Sequence, residues 1–289
     1  MNGKIIITGS LGYIGSELAK HVKASHMASL LIDKEAREGV EGLQLNLCDK
    51  ERTAGEIKKF KPTLFVHAGT HSALSYRDSF LESFTEDFTA LANILQSLAA
   101  QPDCRLVYFS SSYVYSGLPT NQKVFEESPL RPNHNFGVAK SFFEQLILRS
   151  WPNSIIFRLS SVFGPGQAKH PNTILGFAKE CLEKGVITVW GKGERKIQYI
   201  SIQNVITCVM QSDRLEPGIY NLGGNDYISV AEAAKLISDF YHAKTVFLKE
   251  KPEGETLPFL DNRKLKSAFQ DELLTPFIEG VKEYLTTVK

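Results

Sequence analysis

A glycine-rich turn near the start of the chain is the segment with the most specific chemical potential. Residues 8–15 read T-G-S-L-G-Y-I-G, between a short apolar run and a segment with helical spacing. Gly9 permits a tight turn, Gly12 lets the backbone approach a pyrophosphate, and Gly15 lets a helix pack closely on a strand. The amino end of that helix offers free N–H groups and a partial positive charge to phosphates. The predicted dinucleotide-binding residues of this turn are Gly9, Gly12, Tyr13, Ile14 and Gly15.

An acidic residue closes the second apolar run and indicates which dinucleotide fits. Asp33 follows the run at residues 29–32. A carboxylate there can accept hydrogen bonds from both hydroxyls of an adenosine ribose, and it repels a 2′-phosphate. Asp33 therefore favours NAD over NADP. Lys34 and Arg37 follow it, so NADP remains the alternative.

The elements that must position these residues alternate along the first half of the chain. Apolar runs alternate with segments of helical spacing, which is typical of a doubly wound, mostly parallel α/β sheet. The predicted strands are Lys4–Thr8, Ser29–Ile32, Leu43–Leu47, Thr63–His67, Arg105–Ser110 and Ile155–Leu159. The predicted helices are Ile14–Val22, Thr53–Phe60, Ser83–Ala100 and Phe136–Arg149. Such sheets bind ligands in the crevice beyond the carboxyl ends of their strands.

The pattern changes after the turn Gly164-Pro165-Gly166. The predicted helices beyond it are Asn172–Lys184, Gln203–Ser212, Ser229–His242 and a last one that starts near Pro276. Short strands and loops separate them. We expect a Rossmann domain over residues 1–165, and over residues 166–289 mainly a smaller α/β lobe with segments that return to the main sheet.

The composition is that of an ordinary globular protein and argues against several function classes. The chain has 289 residues, 43% hydrophobic and 22% charged, with a net charge of +1. No basic excess indicates nucleic acid, and no basic amphipathic or long apolar segment indicates a membrane. The apolar run at the N-terminus is too short for a signal peptide, so we expect a cytoplasmic protein. The cysteines lack metal-ligand spacing and are expected to be reduced, with no metal site.

Several further segments match one family pattern. They are L-N-L-C-D at residues 45–49, F-V-H-A-G-T at 65–70, S-S-S-Y-V-Y-S-G at 110–117, R-L-S-S-V-F-G-P at 158–165 and a late segment at 221–232. With the glycine turn, these segments resemble the extended short-chain dehydrogenase/reductase family of nucleotide-sugar epimerases, dehydratases and reductases. Residues 110–117 are especially similar to the reductases of the dTDP-4-dehydrorhamnose type. The resemblance implies NAD as cofactor and adds further contacts to it: Asn46, Leu47, Ala68, Gly69, Ser110 and Lys140.

The resemblance also implies a Ser/Thr, a Tyr and a Lys that act together at the nicotinamide. Ser111 and Lys140 occupy two of these positions, and Lys140 would bond the nicotinamide ribose and lower the pKa of the phenol. The third position is Phe136, which has no proton to exchange. Three explanations stay open: another group carries the proton, the reaction needs no strong base at that oxygen, or the chain binds NAD without turnover.

Nearby side chains are candidates for the missing proton donor. Tyr113 is the preferred replacement, because it leaves the fifth strand near the nicotinamide. Tyr115 is expected to form a wall of the pocket, and His134, in a proline-flanked loop, is expected to be solvated. His67 is expected to be a satisfied core histidine. The direction of His71 stays open.

On the substrate side, the resemblance implies a nucleoside diphosphate sugar under the C-terminal lobe. Ser161 takes the place of an Asn that contacts substrate in the family. Lys196 and Lys251, with Arg195, could neutralise a diphosphate, although solvated surface cations are an equal alternative. The family's substrate-facing Arg is Ile197 here.

The resemblance bears on assembly as well. In many relatives, helices equivalent to residues 84–98 and to the segment after Phe136 pair into a dimeric four-helix bundle. We therefore expect a homodimer, although these apolar faces could serve only the core.

The sequence therefore predicts an NAD-dependent nucleotide-sugar epimerase, dehydratase or reductase with an atypical proton donor. The alternative is a catalytically silent NAD-binding protein that acts as a sensor or partner subunit. The sugar, the nucleotide base and the reaction subtype stay open. Ser112 and Tyr113 follow Ser111 where an acid would have indicated a dehydratase, so that subtype is disfavoured.

Overall fold

The computed structural model describes residues 3–166, 172–269 and 274–288. The strands are β1 (Ile5–Thr8), β2 (Ser29–Asp33), β3 (Leu43–Gln44), β4 (Leu64–His67), β5 (Arg105–Ser111), β6 (Lys123–Val124), β7 (Ser154–Leu159), β8 (Ser161–Phe163), β9 (Val186–Trp190), β10 (Lys196–Ser201), β11 (Gly218–Leu222), β12 (Tyr227–Ser229), β13 (Lys244–Leu248) and β14 (Phe259–Leu260). The α-helices are α1 (Tyr13–Ala24), α2 (Lys50–Phe60), α3 (Ala73–Asp78), α4 (Phe80–Leu98), α5 (Asn135–Ser150), α6 (Thr173–Lys184), α7 (Ile202–Met210), α8 (Val230–Tyr241), α9 (Arg263–Phe269) and α10 (Phe277–Thr287). Short 3₁₀ helices cover Ser112–Tyr115 and Ser212–Arg214.

The main sheet has seven strands in the order β3-β2-β1-β4-β5-β7-β11. Strand β1 pairs in parallel with β2 and β4, and the outward pairs β2–β3 and β4–β5 are parallel as well. The order of the chain reverses between β1 and β4, so the carboxyl ends of these two strands border a topological switch point. The predicted doubly wound α/β sheet is confirmed.

Burial explains why the strands read as continuous apolar runs. All residues of β1, β4 and β7 are buried, as expected for parallel strands covered on both faces. One core cluster joins these strands to the helices, with Ile6, Phe65 and Leu106 from the sheet and Leu91 and Phe143 from α4 and α5.

The end of β3 and the helix α3 are among the differences from the prediction. Strand β3 ends at Gln44 and not at Leu47, because Asn46 turns the chain: its Oδ1 accepts a hydrogen bond from Cys48 N at 3.0 Å. Asp49 then caps α2 through Arg52 N. The short helix α3 was not predicted, and Ser72 caps it with a bond from Ser75 N at 3.2 Å.

The chain divides into two compact units. The first contains residues 1–117, 129–158 and 209–220, and the second contains residues 118–128, 159–208 and 221–289. The second unit holds the small sheets β12-β10-β8, β13-β9 and β14-β6. The first unit holds the glycine turn and the switch point.

Candidate cofactor and active site

The glycine turn forms a close-packed cradle at the end of β1. Gly9 has a φ of 69°, and a Cβ added to it would lie 2.5 Å from Gly69 Cα. A Cβ on Gly15 would overlap the carbonyl oxygen of Gly9. Gly12 precedes α1 and makes no side-chain cap, so the amino end of that helix keeps N–H groups for an anion. This backbone fits the pyrophosphate of a dinucleotide.

Asp33 is half-buried at the end of β2 and holds the turn in place. Its Oδ2 accepts a hydrogen bond from Leu11 N at 2.9 Å, and its Oδ1 accepts one from Glu35 N at 3.1 Å. The neighbouring Lys34 Nζ lies 3.4 Å from Glu86 Oε2. Glu86 thus partly offsets the cation closest in sequence to Asp33, and this site suits a ribose better than a 2′-phosphate.

Lys140 extends from α5 into the interior of the first unit. Its Nζ donates to Phe109 O at 2.8 Å, Tyr108 OH at 3.0 Å and Thr70 Oγ1 at 3.1 Å. The residue is 2% exposed. Burial lowers the pKa of Lys140 to about 8, although the carboxylates of Asp87 and Glu144 act in the opposite direction.

Phe136 lies half-buried among aromatic rings. Its ring centroid is 5.6 Å from that of Tyr76 and 5.9 Å from that of Tyr113. Lys140 Nζ is 5.3 Å from the Phe136 centroid. The position of the missing phenol is therefore filled by a ring that shields the ammonium and bonds nothing.

The preferred proton donor, Tyr113, is half-buried beside this ring. Ser111 Oγ accepts a hydrogen bond from Tyr113 N at 3.3 Å, so Ser111 caps the 3₁₀ helix that carries Tyr113. The Tyr113 ring lies 4.9 Å from the His134 ring. The structure brings Ser111, Tyr113, Phe136 and Lys140 into one neighbourhood of the first unit.

His134 has a defined role at the start of α5. It is half-buried, and its Nδ1 accepts a hydrogen bond from Phe136 N at 3.1 Å as the helix N-cap. The expectation of a merely solvated histidine misses this cap. An Nδ1 that accepts carries no proton, so neutral His134 carries its proton on Nε2.

Tyr115 and Ser110 belong to a buried network and not to an open wall. Arg158 donates to Glu144 at 2.9 and 2.6 Å and also to the phenol oxygen of Tyr115. Ser110 Oγ donates to Glu144 Oε1 at 2.5 Å. The hydrogen bonds of this network join β5, α5 and β7. Its burial keeps the Tyr115 phenol away from solvent.

Sequence reasoning missed a buried carboxylate. Asp87 on α4 accepts hydrogen bonds from Tyr76 OH at 2.8 Å and from His71 N at 3.1 and 3.2 Å. Burial raises the pKa of Asp87.

Two histidines border this region. His71 Nε2 lies 2.5 Å from Glu86 Oε2, and that hydrogen bond lowers the pKa of Glu86. His67, at the end of β4, bonds Thr8 Oγ1 through Nδ1 at 2.7 Å, whereas its buried Nε2 has no partner among the described residues. Burial, aided by Lys140, lowers the pKa of His67 to about 3. His67 is therefore a neutral core histidine that is only half satisfied.

Four further predicted cofactor residues follow the carboxyl ends of β3 and β4. Asn46 is exposed, and Ala68 and Gly69 are half-buried at the end of β4. Leu47 is buried, and its carbonyl accepts a bond from Asn93 Nδ2 at 2.9 Å.

In the second unit, Glu253 ties the loop that carries Lys251 to the turn before β10. Its carboxylate accepts hydrogen bonds from Lys192 N at 2.9 Å, Glu194 N at 3.2 Å and Arg195 N at 2.6 Å. A nest of backbone N–H groups that could hold an anion is therefore filled by the protein's own carboxylate.

The other two predicted substrate residues of this unit differ in burial. Lys196 is exposed at the start of β10. Ser161 is half-buried in β8, and its Oγ accepts a hydrogen bond from Asn172 Nδ2 at 3.3 Å. Asn172 also caps α6 through Leu175 N. It places an amide beside Ser161 that sequence reasoning did not single out.

The described ranges contain no cluster of His, Cys, Asp or Glu that could hold a metal ion. No helix within them is long and apolar enough to span a membrane.

The strand order of the main sheet, the glycine cradle at the end of β1 and Asp33 at the end of β2 together define a Rossmann-type protein with a dinucleotide site. The chain belongs to the NAD dependent epimerase/dehydratase family, whose pattern it matches over residues 5–223. This confirms the resemblance inferred from the motifs.

Individual relatives carry different names. The chain is 22% identical to a GDP-L-fucose synthase of Dictyostelium discoideum over 306 residues, which cover 96% of this chain and 93% of that protein. It is 26% identical to a methionine adenosyltransferase 2 subunit beta of Xenopus tropicalis over 301 residues, which cover 98% and 87%. The fold is similar to that of a Thermus thermophilus UDP-glucose 4-epimerase solved with NAD (TM-score 0.83, 20% identity, 98% of each chain).

Proposed function

We propose that the chain is an NAD-dependent enzyme that modifies a nucleoside diphosphate sugar as an epimerase, dehydratase or reductase. The observation that carries this proposal is the cradle of Gly9, Gly12 and Gly15 at the switch point, with Asp33 at the end of the next strand. NAD is the cofactor that this arrangement fits. Several solved structures of the same fold contain NAD, among them an epimerase and a dTDP-glucose 4,6-dehydratase.

The residues of the chain divide the work at the cofactor. The cradle holds the pyrophosphate, Asp33 holds the adenosine ribose, and Lys140 serves the nicotinamide ribose. NAD, when bound, accepts a hydride from a sugar carbon or returns one. Ser111 orients the sugar oxygen at that carbon.

Tyr113 exchanges the proton of that oxygen in place of the phenol that position 136 lacks. Its ring lies against Phe136 and is half-buried, and no described residue hydrogen bonds to its hydroxyl. Tyr76, the other phenol beside Phe136, is fully buried and already bonded to Asp87. Of the two phenols, Tyr113 is therefore the one that can reach a substrate.

The substrate side rests on the second unit. Lys196 and Lys251 are exposed cations that suit a diphosphate, and Ser161 with Asn172 supplies neutral donors. A relative named GDP-L-fucose synthase and a neighbouring structure solved with UDP-glucose support a nucleoside diphosphate sugar as the ligand class.

The assembly that fits this chain is a homodimer. Helices α4 and α5 contact each other and leave large apolar side chains in water: Leu81 is 75% exposed, Phe142 45%, Val138 44% and Phe88 38%. A second copy that pairs the same helices would cover this patch in a symmetric, self-complementary interface.

The test of the enzyme is turnover of a panel of nucleotide sugars with NAD, followed by absorbance of the reduced nicotinamide and by product mass. We expect turnover that Lys140→Met abolishes and that the matched change Lys58→Met, exposed on α2, leaves intact. Turnover that survives Lys140→Met would contradict the assigned role of Lys140. Absence of turnover across the panel would contradict the enzyme.

The alternative is a silent NAD-binding protein that acts as a sensor or partner subunit. The phenylalanine at position 136 favours it, as does similarity to proteins named as a subunit of methionine adenosyltransferase. Tight NAD binding without turnover, together with turnover gained in Phe136→Tyr, would establish this alternative.

A further inference from the structure

The ammonium of Lys140 has no hydrogen-bond donor left for a ligand. An ammonium group has three N–H donors, and in this chain they meet three acceptors of the protein itself. These are the Phe109 carbonyl at 2.8 Å, the Tyr108 phenol at 3.0 Å and the Thr70 hydroxyl at 3.1 Å. The cation that should serve a ribose is thus satisfied inside the first unit.

The surroundings keep it there. The Phe136 centroid lies 5.3 Å from the ammonium, and the centroid of the fully buried Tyr108 ring lies 4.6 Å from it. The charged groups that act on Lys140 are Asp87 from α4 and Glu144 from its own helix, and both favour the ammonium form. Burial and the nearby acids raise the pKa of Tyr108, so its phenol stays neutral and accepts the hydrogen bond.

Of the three acceptors, Tyr108 is the fully buried side chain, and among the described residues its hydroxyl bonds Lys140. Phe109 contributes a backbone carbonyl, and Thr70 belongs to the loop that follows β4. Tyr108 stands on β5, three positions before Ser111 in sequence. A phenylalanine there would fill the same core space without the oxygen.

We propose that Tyr108 retains the ammonium of Lys140 in the interior and so competes with the nicotinamide ribose of NAD for it. The inference rests on the proposed function, in which Lys140 serves that ribose. Each bond from Lys140 to a ribose hydroxyl must replace one of the three internal bonds, and this exchange weakens cofactor binding. Tyr108 is therefore a positioning residue that acts through Lys140.

The experiment compares two ligands by isothermal titration calorimetry, NAD and ADP. ADP has the adenosine and both phosphates but lacks the nicotinamide ribose. Tyr108→Phe should tighten NAD about three- to tenfold, because one donor of Lys140 becomes free, and should leave ADP affinity unchanged. In the Lys140→Met background, Tyr108→Phe should change neither affinity.

Thermal unfolding of each variant checks that it is folded. If Tyr108→Phe does not fold, Thr70→Val removes a second acceptor and is expected to tighten NAD in the same direction. Unchanged or weaker NAD binding by a folded variant would overturn the proposal, as would an equal gain for ADP or an equal gain without Lys140. The proposed function fails separately if binding of ADP or NAD to the parent protein is not detectable. The proposed competition for Lys140 is then contradicted as well.

Discussion

Lys140 and His67 are bases whose pKa values burial lowers within the first unit. The pKa of Lys140 falls to about 8 and that of His67 to about 3. Each pKa lies below its unfolded value, so the unfolded chain binds more protons in the interval between the two values. Stability must then rise with pH across that interval.

For Lys140 the interval lies between pH of about 8 and 10.5. The free energy of unfolding should gain up to ~1.4 kcal/mol per pH unit there from this group. Lys140→Met should remove that contribution, which chemical denaturation at several pH values would measure as a difference in slope. Equal slopes for the parent and the variant would show that the ammonium is not buried in solution.

For His67 the interval lies between pH of about 3 and 6.5. As pH falls through it, the unfolded state takes up a proton that the folded state excludes, and stability falls by up to ~1.4 kcal/mol per pH unit from this residue. His67→Asn keeps a polar atom near Thr8 and has no proton to gain. In urea unfolding, the free energy of unfolding of this variant should fall less steeply as the pH is lowered. An unchanged fall at acid pH would contradict the burial of a neutral His67.

Sequence reasoning found the residues that occupy fixed positions in a family motif. It missed residues whose roles depend on partners from other elements. Phe136 and Lys140 were found because they stand in one helix at family spacing. Tyr108 and Asp87 were not assigned roles, because their partners come from other elements. A hydrogen bond from α5 to β5 leaves no mark in either local sequence.

Among the elements, α5 must approach the 3₁₀ helix closely, and Gly137 permits this. A Cβ at Gly137 would overlap the Tyr113 carbonyl and lie 2.9 Å from Pro132 Cβ. Gly137→Ala should therefore destabilise the protein by ~2 kcal/mol or more, through overpacking. Gly55→Ala in α2 is the matched control, since nothing lies within 4 Å of its added Cβ. It should stabilise by ~0.5–1 kcal/mol, and thermal unfolding would compare the two. Equal effects would contradict the close approach.

The cap of α5 offers a second test at this scale. His134→Ala should cost ~1 kcal/mol of unfolding free energy, because Phe136 N loses its acceptor. His134→Asn should retain most of the stability, since asparagine is a preferred N-cap. If the imidazole of His134 stabilises the protein by more than capping, both variants should have a lower urea midpoint than the parent protein.

Elements with strong periodicity were predictable from local signals. The parallel strands carry continuous apolar runs, and the glycine turn separates β1 from α1. The end of β3 depended on the side chain of Asn46, and α3 is too short for periodicity to emerge. Local hydrogen bonds, and not apolar patterning, decided both.

At the scale of the whole molecule, the compact units do not follow a single boundary in sequence. Residues 118–128 group with the second unit and residues 209–220 with the first. The change of pattern after Gly164 was visible, because only short strands and loops separate the helices beyond it. Segments of the second half that return to the main sheet were expected, but their residues were not specified. The grouping of residues 118–128 with the second unit was not predicted, because this short segment has partners far along the chain.

The apolar patch on α4 and α5 predicts a dimer that a single charged substitution should dissociate. Phe88 and Phe142 lie with ring centroids 6.1 Å apart and are 38% and 45% exposed. Phe142→Glu should convert a dimer to a monomer in sedimentation velocity, because a desolvated carboxylate in the interface is costly.

Phe247→Glu is the matched control for this test. Phe247 is 41% exposed on β13 in the second unit and is not a member of the patch. This variant should stay dimeric at the same concentration, since the charge remains in water. A monomeric parent protein would contradict the dimer, and dissociation by both substitutions would place the interface elsewhere.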